Sequence, residues 1–427
     1  MIEQYLTEQP LIEQSRLSTP DQATPILITA PKRLTSFLAK EVAALGYPVV
    51  AEHVTGVLTE GDLTDAMRLN LWIRTGHRVL YLLKSFAAPN ADEMYRQALE
   101  IPWEEWIDVD GYVSVVSSVS NPTIRDSRFA NVRLKDAFCD RLHHVWGRRP
   151  DSGPDTSQAV VFLHWQDDAC SVYLDTSGQP LIRRGYRRIP WRAPMQESLA
   201  AAVAMATGWS GEGNFINPMC GSGTLAIEAA LIALGKAPGL LRSNFAFMHL
   251  CCTDQEAEAW KTMRAQAKQA ARKTFPGKII ATDIAPQAIE AAQKNAATAG
   301  VDHLIEFRVC DFRQTPVAEG GGVVVMNPEY GERLGDERQL QGVYQGIGDF
   351  FKQQCAGYRG YVFTGNLDLA KRVGLRPSRR IPMFNTTIDC RLLEYELYEG
   401  SKKRKWSQAE EGEPTEEPTE EPTGEPT

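Results

Sequence analysis

Apolar and polar residues follow two different rhythms along this chain, and the change of rhythm divides it into two regions. From residue 25 to about residue 180, strand patterns such as ILITA, GVLTEG and GYVSVVSSVS are mixed with helix patterns such as RLTSFLAKEVAALG. The spacing in RLKDAFCDRLHHVWG predicts a helix over 133–147, and AVVFLHWQDDACSVYLDTS predicts two strands around a polar turn. This first region is therefore expected to have an α+β fold.

The second region starts at residue 213 and repeats strand, short loop and helix, which predicts a mostly parallel, doubly wound sheet. Parallel strands are expected at 214–217, 278–283, 305–311, 323–326 and 360–365. RRIPMFN and IDCRLLEYELY follow and would form an antiparallel pair that closes the sheet. The segment 183–212 between the regions reads as a basic connector and one amphipathic helix. Because ligands bind at the carboxyl ends of parallel strands, that edge of the sheet is the place to look for chemistry.

A loop of small residues follows the first of these strands, in the stretch NFINPMCGSGTLAIEAAL. Gly221 and Gly223 allow close approach of the backbone to a ligand, and the helix that starts near Thr224 offers unpaired N–H groups. The loop lacks the GK[ST] of a phosphate-binding loop, and its GxGxxG pattern is incomplete. A purely structural turn remains the alternative interpretation of the loop taken alone.

Two carboxylates follow the next two strands, Asp283 after the second and Asp311 after the third. A carboxylate accepts two hydroxyl donors, so Asp283 suits a ribose diol, and Asp311 suits an exocyclic amine. Each could instead be only a helix cap or a loop residue. Together with the glycine loop, however, they favour a cofactor that contains adenosine.

The fourth strand delivers NPEY, residues 327–330, to the same edge. An exocyclic amine of a base is a poor nucleophile and needs two acceptors that hold its hydrogens. The side-chain oxygen of Asn327 and the carbonyl of Pro328 can act as these acceptors by position alone. Tyr330 offers a flat face for an unstacked base. The alternative is an Asn-Pro turn beside a buried tyrosine.

The composition bears on where the protein acts but does not identify a binding partner. The formal net charge is -8, but residues 410–427 contain eight Glu and no Lys or Arg, so the remainder is near neutral. This Glu/Pro/Thr repeat is expected to be disordered. The eight cysteines form no CxxC pair or zinc pattern, and the chain shows neither a secretory signal nor an apolar run of membrane-spanning length. These features predict a cytoplasmic protein with no metal and no membrane contact.

Basic residues cluster in two places and suggest contact with RNA phosphates. The stretch 121–150 holds seven cations against three Asp, and the connector RRGYRRIPWR holds five Arg with interleaved aromatics. The predicted RNA-binding residues are Arg125, Arg128, Arg133, Arg183, Arg184 and Arg187. A solvated helix face remains the alternative for the first cluster. KKRK at 402–405 is less specific.

The ordered series NPMCGSGTLAIEAAL, APGLLRSNFAF, ATDIAP, NPEYGERLG and DCRLLEYEL resembles the THUMP-domain class I methyltransferases that use S-adenosylmethionine. The similarity is greatest to the bacterial 23S rRNA guanine-N2 methyltransferases and covers roughly residues 25–400. It implies a leader at 1–24, a ferredoxin-like segment at 25–90, an RNA-binding THUMP domain at 91–182 and the connector with its helix at 183–212. A Rossmann-like, doubly wound, seven-stranded methyltransferase domain would follow at 213–400, and a basic patch and acidic tail at 401–427.

The resemblance also assigns roles to particular residues. Asn327, Pro328 and Tyr330 would hold the guanine. The cofactor-binding residues would be Asn217, Pro218, Cys220, Gly221, Ser222, Gly223, Thr224, Glu197, Ser198, Asp283, Ile284, Asp311 and Phe312. Within this set, residues 217–224 would hold the methionine end, with Glu197 and Ser198 near its carboxylate. Asp283 would hold the ribose, and Asp311 with Phe312 the adenine.

Three positions depart from the family pattern. Asn217 stands where Asp is usual, Gln196 where Lys is common, and Glu329 where a second proline is usual. Loss of a charge-assisted bond at Asn217 predicts weaker cofactor affinity. The expected activity is methylation of a guanine N2 amine in RNA, with 23S rRNA as the first candidate. The alternatives are a tRNA guanine, a DNA adenine, a protein glutamine, a catalytically weak RNA-binding or ribosome-assembly protein, and a distant fourth, a dehydrogenase.

Overall fold

The computed structural model describes residues 23–192, 195–330 and 337–398. The predicted acidic tail, the KKRK segment, nearly all of the leader and residues 331–336 lie outside the described residues. Within the described residues, no helix is both long enough and apolar enough to cross a lipid bilayer.

The N-terminal region forms one eight-stranded sheet with helices packed against it. Its strands are β1 (Thr24–Thr29), β2 (Ala51–His53), β3 (Gly56–Gly61), β4 (Arg78–Ala87), β5 (Tyr112–Ser120), β6 (Asp151–Ser152), β7 (Ala159–Gln166) and β8 (Ala169–Asp175), in the order β2-β3-β1-β4-β8-β7-β5-β6. Its helices are α1 (Thr35–Ala44), α2 (Leu63–Trp72), α3 (Ala91–Leu99) and α4 (Ser127–Trp146). Since β4 pairs with both β1 and β8, the sheet continues without a break across residue 90.

Helix α4 is longer than the apolar spacing predicts, because it begins six residues before the expected start at 133. Asp126 caps it by accepting a hydrogen bond from the Arg128 N–H, and Gly147 ends it with a φ of 74°. In the first turn only Ala130 is buried, while Arg128 and Phe129 are exposed, so the apolar spacing gives little sign of this turn. Helix α3 ends at Leu99 and is followed by Pro102 and a short 3₁₀ helix, Trp103–Glu105.

The C-terminal region is the predicted doubly wound α/β domain, and this fold class is confirmed. Its elements are α5 (Glu197–Ala206), β9 (Asn214–Pro218), α6 (Thr224–Ala233), α7 (Asp254–Ala270), β10 (Ile279–Asp283), α8 (Pro286–Ala299), β11 (Ile305–Val309), β12 (Gly322–Met326), α9 (Glu337–Gln354), β13 (Tyr358–Thr364), α10 (Leu367–Lys371), β14 (Arg379–Asn385) and β15 (Ile388–Glu396). The strand order is β11-β10-β9-β12-β13-β15-β14, and β15 is antiparallel to both neighbours. The order reverses between β9 and β12, which defines a topological switch point.

The long segment between α6 and β10 connects the two regions. Phe245, Phe247 and Trp260 from this segment belong to the apolar core of the N-terminal region, where the two phenylalanines lie 5.5 and 4.9 Å from the tryptophan ring. In return, Leu34 at the start of α1 packs into the core of the C-terminal domain. Each region therefore buries apolar side chains of the other, and this fixes their relative position.

Candidate active site

A cavity of about 1200 Å³ opens at the carboxyl edge of the C-terminal sheet, around the switch point. Of the predicted residues it is lined by Asn217, Cys220, Gly221, Ser222, Thr224, Asp283, Ile284, Asp311, Phe312, Asn327, Pro328 and Tyr330. The fold therefore brings the residues that follow four successive parallel strands to one place. Pro218, Gly223, Glu197 and Ser198 are not among the lining residues.

The glycine loop after β9 is held against the end of β10. The N–H of Gly221 donates to the Oδ2 of Asp283 at 3.0 Å. Gly221 and Gly223 both have positive φ angles, and a Cβ on Gly223 would lie 2.9 Å from the Cβ of Ala292 in α8. No side chain caps α6, so the first-turn N–H groups of α6, beginning at Thr224, are left for a ligand at the cavity.

The two carboxylates after β10 and β11 are oriented by short hydrogen bonds. Asp283 also accepts from the Ala285 N–H at 2.9 Å. Asp311 accepts from the Arg313 N–H at 2.9 Å and forms an ion pair with its guanidinium at 3.0 Å. The Phe312 ring is buried and packs edge-on at 6.4 Å from the Phe350 ring, which makes an apolar wall. This arrangement suits a ribose and a flat base.

Two amide oxygens of residues that line the cavity are buried and lack a hydrogen-bond donor among the described residues. They are the Oδ1 of Asn217 and the Oδ1 of Asn327. The Nδ2 of Asn217 donates to the Val325 carbonyl at 2.9 Å, so Asn217 is bonded to β12, the strand that Asn327 follows. Buried acceptors without donors are rare in folded proteins. The two oxygens flank the switch point and fit ligand groups that donate hydrogens.

Tyr330 is held by a residue that the sequence patterns did not indicate. Its hydroxyl accepts a hydrogen bond from the Nδ2 of Asn385 at 2.8 Å, and its ring lies edge-on to Phe363 at 6.3 Å. Burial is the main reason why the pKa of Tyr330 is raised, so the hydroxyl stays protonated at neutral pH. Asn385 lies at the turn between β14 and β15, and an Asn in a hairpin turn carries no functional signal of its own.

Glu197 and Ser198 at the start of α5 are buried, and their side chains do not reach the cavity. Glu197 pairs with the Nη2 of Arg187 at 3.2 Å, and burial raises the pKa of this carboxyl group. The Ser198 hydroxyl lies 3.3 Å from the Nε2 of His77 in the N-terminal region. The Ser198 hydroxyl therefore faces the N-terminal region, and a position of Glu197 and Ser198 near the carboxylate of the cofactor remains a prediction.

Two of the five arginines of the connector, Arg184 and Arg187, are buried or partly buried. Arg184 is buried, forms an ion pair with Glu228 at 2.9 Å and donates to the Arg74 carbonyl at 2.6 Å. Arg187 donates to the Met195 carbonyl and to the Thr224 hydroxyl. The Arg184 side chain is fully buried and cannot meet a phosphate, so the prediction of RNA contact is wrong for Arg184. Arg187 is partly exposed, and RNA contact there remains a prediction. Arg184 instead links Arg74 of the N-terminal region to Glu228 of α6, and Arg187 links the connector to the starts of α5 and α6.

The other predicted RNA-binding arginines are at the surface. Arg128 forms an ion pair with Asp126 at 2.7 Å. Arg133 pairs with Asp92 at 2.8 Å and stacks on the Tyr95 ring. Arg183 is exposed and donates to Gln179, while Arg125 is exposed with no ion pair to a described residue. RNA contact at these four arginines remains a prediction.

A doubly wound sheet with this glycine loop, these two carboxylates and an Asn-Pro-x-Tyr segment defines a class I methyltransferase domain. Residues 184–394 match the RMKL-like methyltransferase domain model, residues 25–80 the RlmL ferredoxin-like domain and residues 88–175 the THUMP domain. The chain belongs to this family of RMKL-like methyltransferases. S-adenosylmethionine is the cofactor of the class, as predicted. In the part of the chain that the structure describes, no cluster of His, Cys, Asp or Glu could hold a metal ion.

Two relatives and one solved structure show how far the similarity extends. A ribosomal RNA large subunit methyltransferase K/L from Syntrophotalea carbinolica is 38% identical over 87% of this chain, which corresponds to 53% of the relative. The protein slr0064 of Synechocystis sp., named as an RNA methyltransferase, is 34% identical over 88% of this chain and 97% of its own. The crystal structure of SMU.472 complexed with SAH covers 89% of this chain and 99% of that one, with a TM-score of 0.80 and 24% identity.

The two kinds of relative differ in length. The chain spans about half the length of the K/L relatives that it matches, but nearly the whole of slr0064. The likeness to SMU.472 shows the fold alone, because the identity is low.

Proposed function

We propose that this protein transfers a methyl group from S-adenosylmethionine to the exocyclic N2 amine of a guanine in RNA, with 23S rRNA as the first candidate. The observation that carries the proposal is the pair of buried amide oxygens on Asn217 and Asn327, which share one cavity. The names of the K/L relatives support ribosomal RNA of the large subunit as the substrate, although they do not name the base. The THUMP match supports RNA as the partner.

The residues present fit the cofactor and the base. When bound, S-adenosylmethionine supplies an electrophilic methyl group on a sulfonium. The Oδ1 of Asn217 would accept from the ammonium of the methionine end, and Asp283 would accept from the ribose hydroxyls. Trp191 lines the same cavity beside Gly221 and would cover the loop.

The protein activates the amine by orienting it, and no proton is removed before the methyl transfer. The Oδ1 of Asn327 and the Pro328 carbonyl accept hydrogen bonds from the two N–H groups of the amine. The nitrogen lone pair then points at the methyl carbon. The Tyr330 ring stacks on the base, and its raised pKa excludes it as a general base at neutral pH. As the new N–C bond forms, the bond between the methyl carbon and the sulfonium would break and leave a neutral thioether, and the nitrogen would then lose one proton to water.

Mass mapping of modified guanines in rRNA and tRNA, from cells with and without the gene, tests the proposal. We expect one N2-methylguanosine to disappear from 23S rRNA. Loss from tRNA instead would favour the tRNA alternative, and no loss from either would refute guanine-N2 methylation. Calorimetry addresses the second candidate, a catalytically weak RNA-binding protein, which Asn217 and Glu329 favour. No heat with S-adenosylmethionine at about millimolar concentration, a range that corresponds to weak binding, would support it.

A further inference from the structure

A strip of exposed cations that no sequence motif indicated runs from the end of α10, through the loop after it, to the start of the outermost strand β14. Residues 369–388 contain five Lys or Arg and no Asp or Glu. These cations are Lys371, Arg372, Arg376, Arg379 and Arg380, and all five are exposed. Lys352 of α9 adds a sixth, since its Nζ lies 3.6 Å from the position of a Cβ on Gly374. We call these six residues the edge strip.

Most of the edge strip has no local counter-charge. Lys371 pairs with Asp368 at 2.7 Å, and Arg379 lies 3.3 Å from Glu394. Arg372, Arg376 and Arg380 form no ion pair with any described residue. The arginines of α4 and the segment after it differ in this respect, because Arg128, Arg133, Arg141, Arg148 and Arg149 each pair with an acid. The edge strip therefore carries unpaired positive charge, in addition to the exposed Arg192, which lines the cavity itself.

The edge strip is continuous with the candidate active site. Strand β14 ends at Asn385, which lines the cavity and holds the Tyr330 hydroxyl. Arg380 lies five residues earlier on the same strand, which is about 17 Å at 3.4 Å per residue. Helix α10, which leads to Arg372, follows the carboxyl end of β13 at the same edge. A polynucleotide whose base enters beside Tyr330 would therefore meet these cations with its neighbouring phosphates.

We propose that the edge strip binds the RNA backbone that flanks the target nucleotide, through Arg372, Arg376 and Arg380. The proposal rests on RNA being the substrate, as proposed above. Guanidinium groups suit phosphates because they present several N–H donors in a fixed plane. Pro382 removes one backbone donor from this exposed edge, which opposes pairing with another strand and leaves the strip to its side chains.

A salt titration of RNA binding tests the proposal. The probe is a single-stranded RNA of about 20 nucleotides with one guanine, and its Kd is measured between about 50 and 200 mM salt. Three lost phosphate contacts should reduce the slope of log Kd against log salt by about 2. We expect this change in the full-length variant with Arg372→Ala, Arg376→Ala and Arg380→Ala. The KM for RNA should rise at least tenfold while kcat stays near the wild-type value.

A matched variant controls for the loss of three positive charges. Lys268→Ala, Arg272→Ala and Lys273→Ala remove three exposed cations from α7 and the segment after it, which precede β10 at the edge opposite the cavity. The slope and KM of this control should equal those of the wild type. Equal slopes in both triple variants would overturn the edge strip proposal even if the wild type methylates RNA. If the wild-type protein forms no N2-methylguanosine, the proposed function is refuted. The comparison of salt slopes would still show whether the edge strip binds RNA.

The alternative to RNA as the ligand of the edge strip is the acidic tail of the same chain. In a full-length protein with the eight Glu of residues 410–427 changed to Gln, the Arg triple variant should still lower the salt slope. If its effect disappears in that background, the tail rather than RNA occupies the strip and the proposal is overturned.

Discussion

The guanidinium of Arg184 lies 2.9 Å from the carboxylate of Glu228, and both side chains are fully buried between the N-terminal region and α6. Arg184 also donates to the carbonyls of Leu181 and Arg74, and the Tyr186 hydroxyl donates to Glu228 at 3.0 Å. Desolvation of such a pair is costly, so the extra hydrogen bonds are needed to stabilise it. This ion pair therefore links three parts of the molecule: the connector, the loop that follows α2 and the core of the methyltransferase domain.

Arg184→Ala should destabilise the protein by about 3–5 kcal/mol, because it leaves the Glu228 charge buried without a partner. Urea denaturation at neutral pH measures the change in the free energy of unfolding. The adjacent Arg183→Ala is the control, since Arg183 is exposed and should change stability by less than about 0.5 kcal/mol. A double variant, Arg184→Met with Glu228→Leu, should recover most of the loss. Equal effects of the Arg184 and Arg183 variants would contradict the role of this pair.

The patterns along the chain predicted most of the residues that line the cavity, whereas they did not indicate that Arg184 is buried. The difference has a physical cause. The residues after parallel strands could be predicted because the topology of a doubly wound sheet brings them to one edge. The sequence of the connector, with five Arg in ten residues, does not show which arginines face water. It does not show either that one of them meets a buried carboxylate 44 positions away. The one signal was Glu228 itself, an isolated acid in the apolar helix TLAIEAALIA, which implies a buried cation as partner.

Asn327→Ala should lower kcat by about 10²–10³-fold, because one of the two acceptors for the amine hydrogens is removed. The affinity for S-adenosylmethionine should stay close to that of the wild type, since Asn327 belongs to the base side of the cavity. Single-turnover methyl transfer and calorimetry measure the two quantities. Equal losses in both would place Asn327 on the cofactor side instead.

Asn217→Asp should strengthen binding of S-adenosylmethionine several-fold, since a charge-assisted hydrogen bond to the ammonium is roughly twice as strong as a neutral one. The variant should also unfold more easily without cofactor, because a carboxylate cannot donate to the Val325 carbonyl as the Asn217 amide does. Calorimetry with 5′-methylthioadenosine, which lacks the amino acid part, is the control. Tighter binding of that compound would show that the gain does not come from the ammonium.

His77 should make stability depend on pH below neutrality. Burial, followed by the charges of Arg78 and Arg184, lowers its pKa from 6.5 to about 4. The folded state therefore binds fewer protons than the unfolded state in this window, so stability is full above about pH 6.5 and falls as the pH drops toward 4. At pH 5 this histidine alone should cost about 2 kcal/mol.

His77→Gln should flatten this decline in the free energy of unfolding, measured by urea denaturation between about pH 7 and pH 5. His144→Gln is the control, since His144 is exposed on α4 and the variant should keep the wild-type slope. An unchanged slope in the His77 variant would assign the acid sensitivity to another group, of which His164 is the first candidate, because burial lowers its pKa to about 4 as well.

Glu329→Gln should raise kcat/KM for RNA several-fold, mainly through KM. Glu329 is exposed, lines the cavity and forms no ion pair with a described residue, so its charge faces the incoming phosphates. The gain should shrink at high salt, because ions screen exposed charges. Glu329→Pro should give at least the same gain, since proline stiffens the loop by up to about 1 kcal/mol. Initial rates at two salt concentrations measure both effects.

Glu329→Asp keeps the charge and should stay near the wild-type rate, which separates charge from shape at this position. The backbone carbonyl of Glu329 is held by the Tyr344 hydroxyl at 3.4 Å, so none of these changes should displace Asn327 or Tyr330. A loss of activity in Glu329→Gln, with Asp unaffected, would mean that the carboxylate attracts rather than repels the substrate. The N1–H of guanine is the donor that a carboxylate beside the N2 amine would then bind, and the residue would contribute to the choice of base.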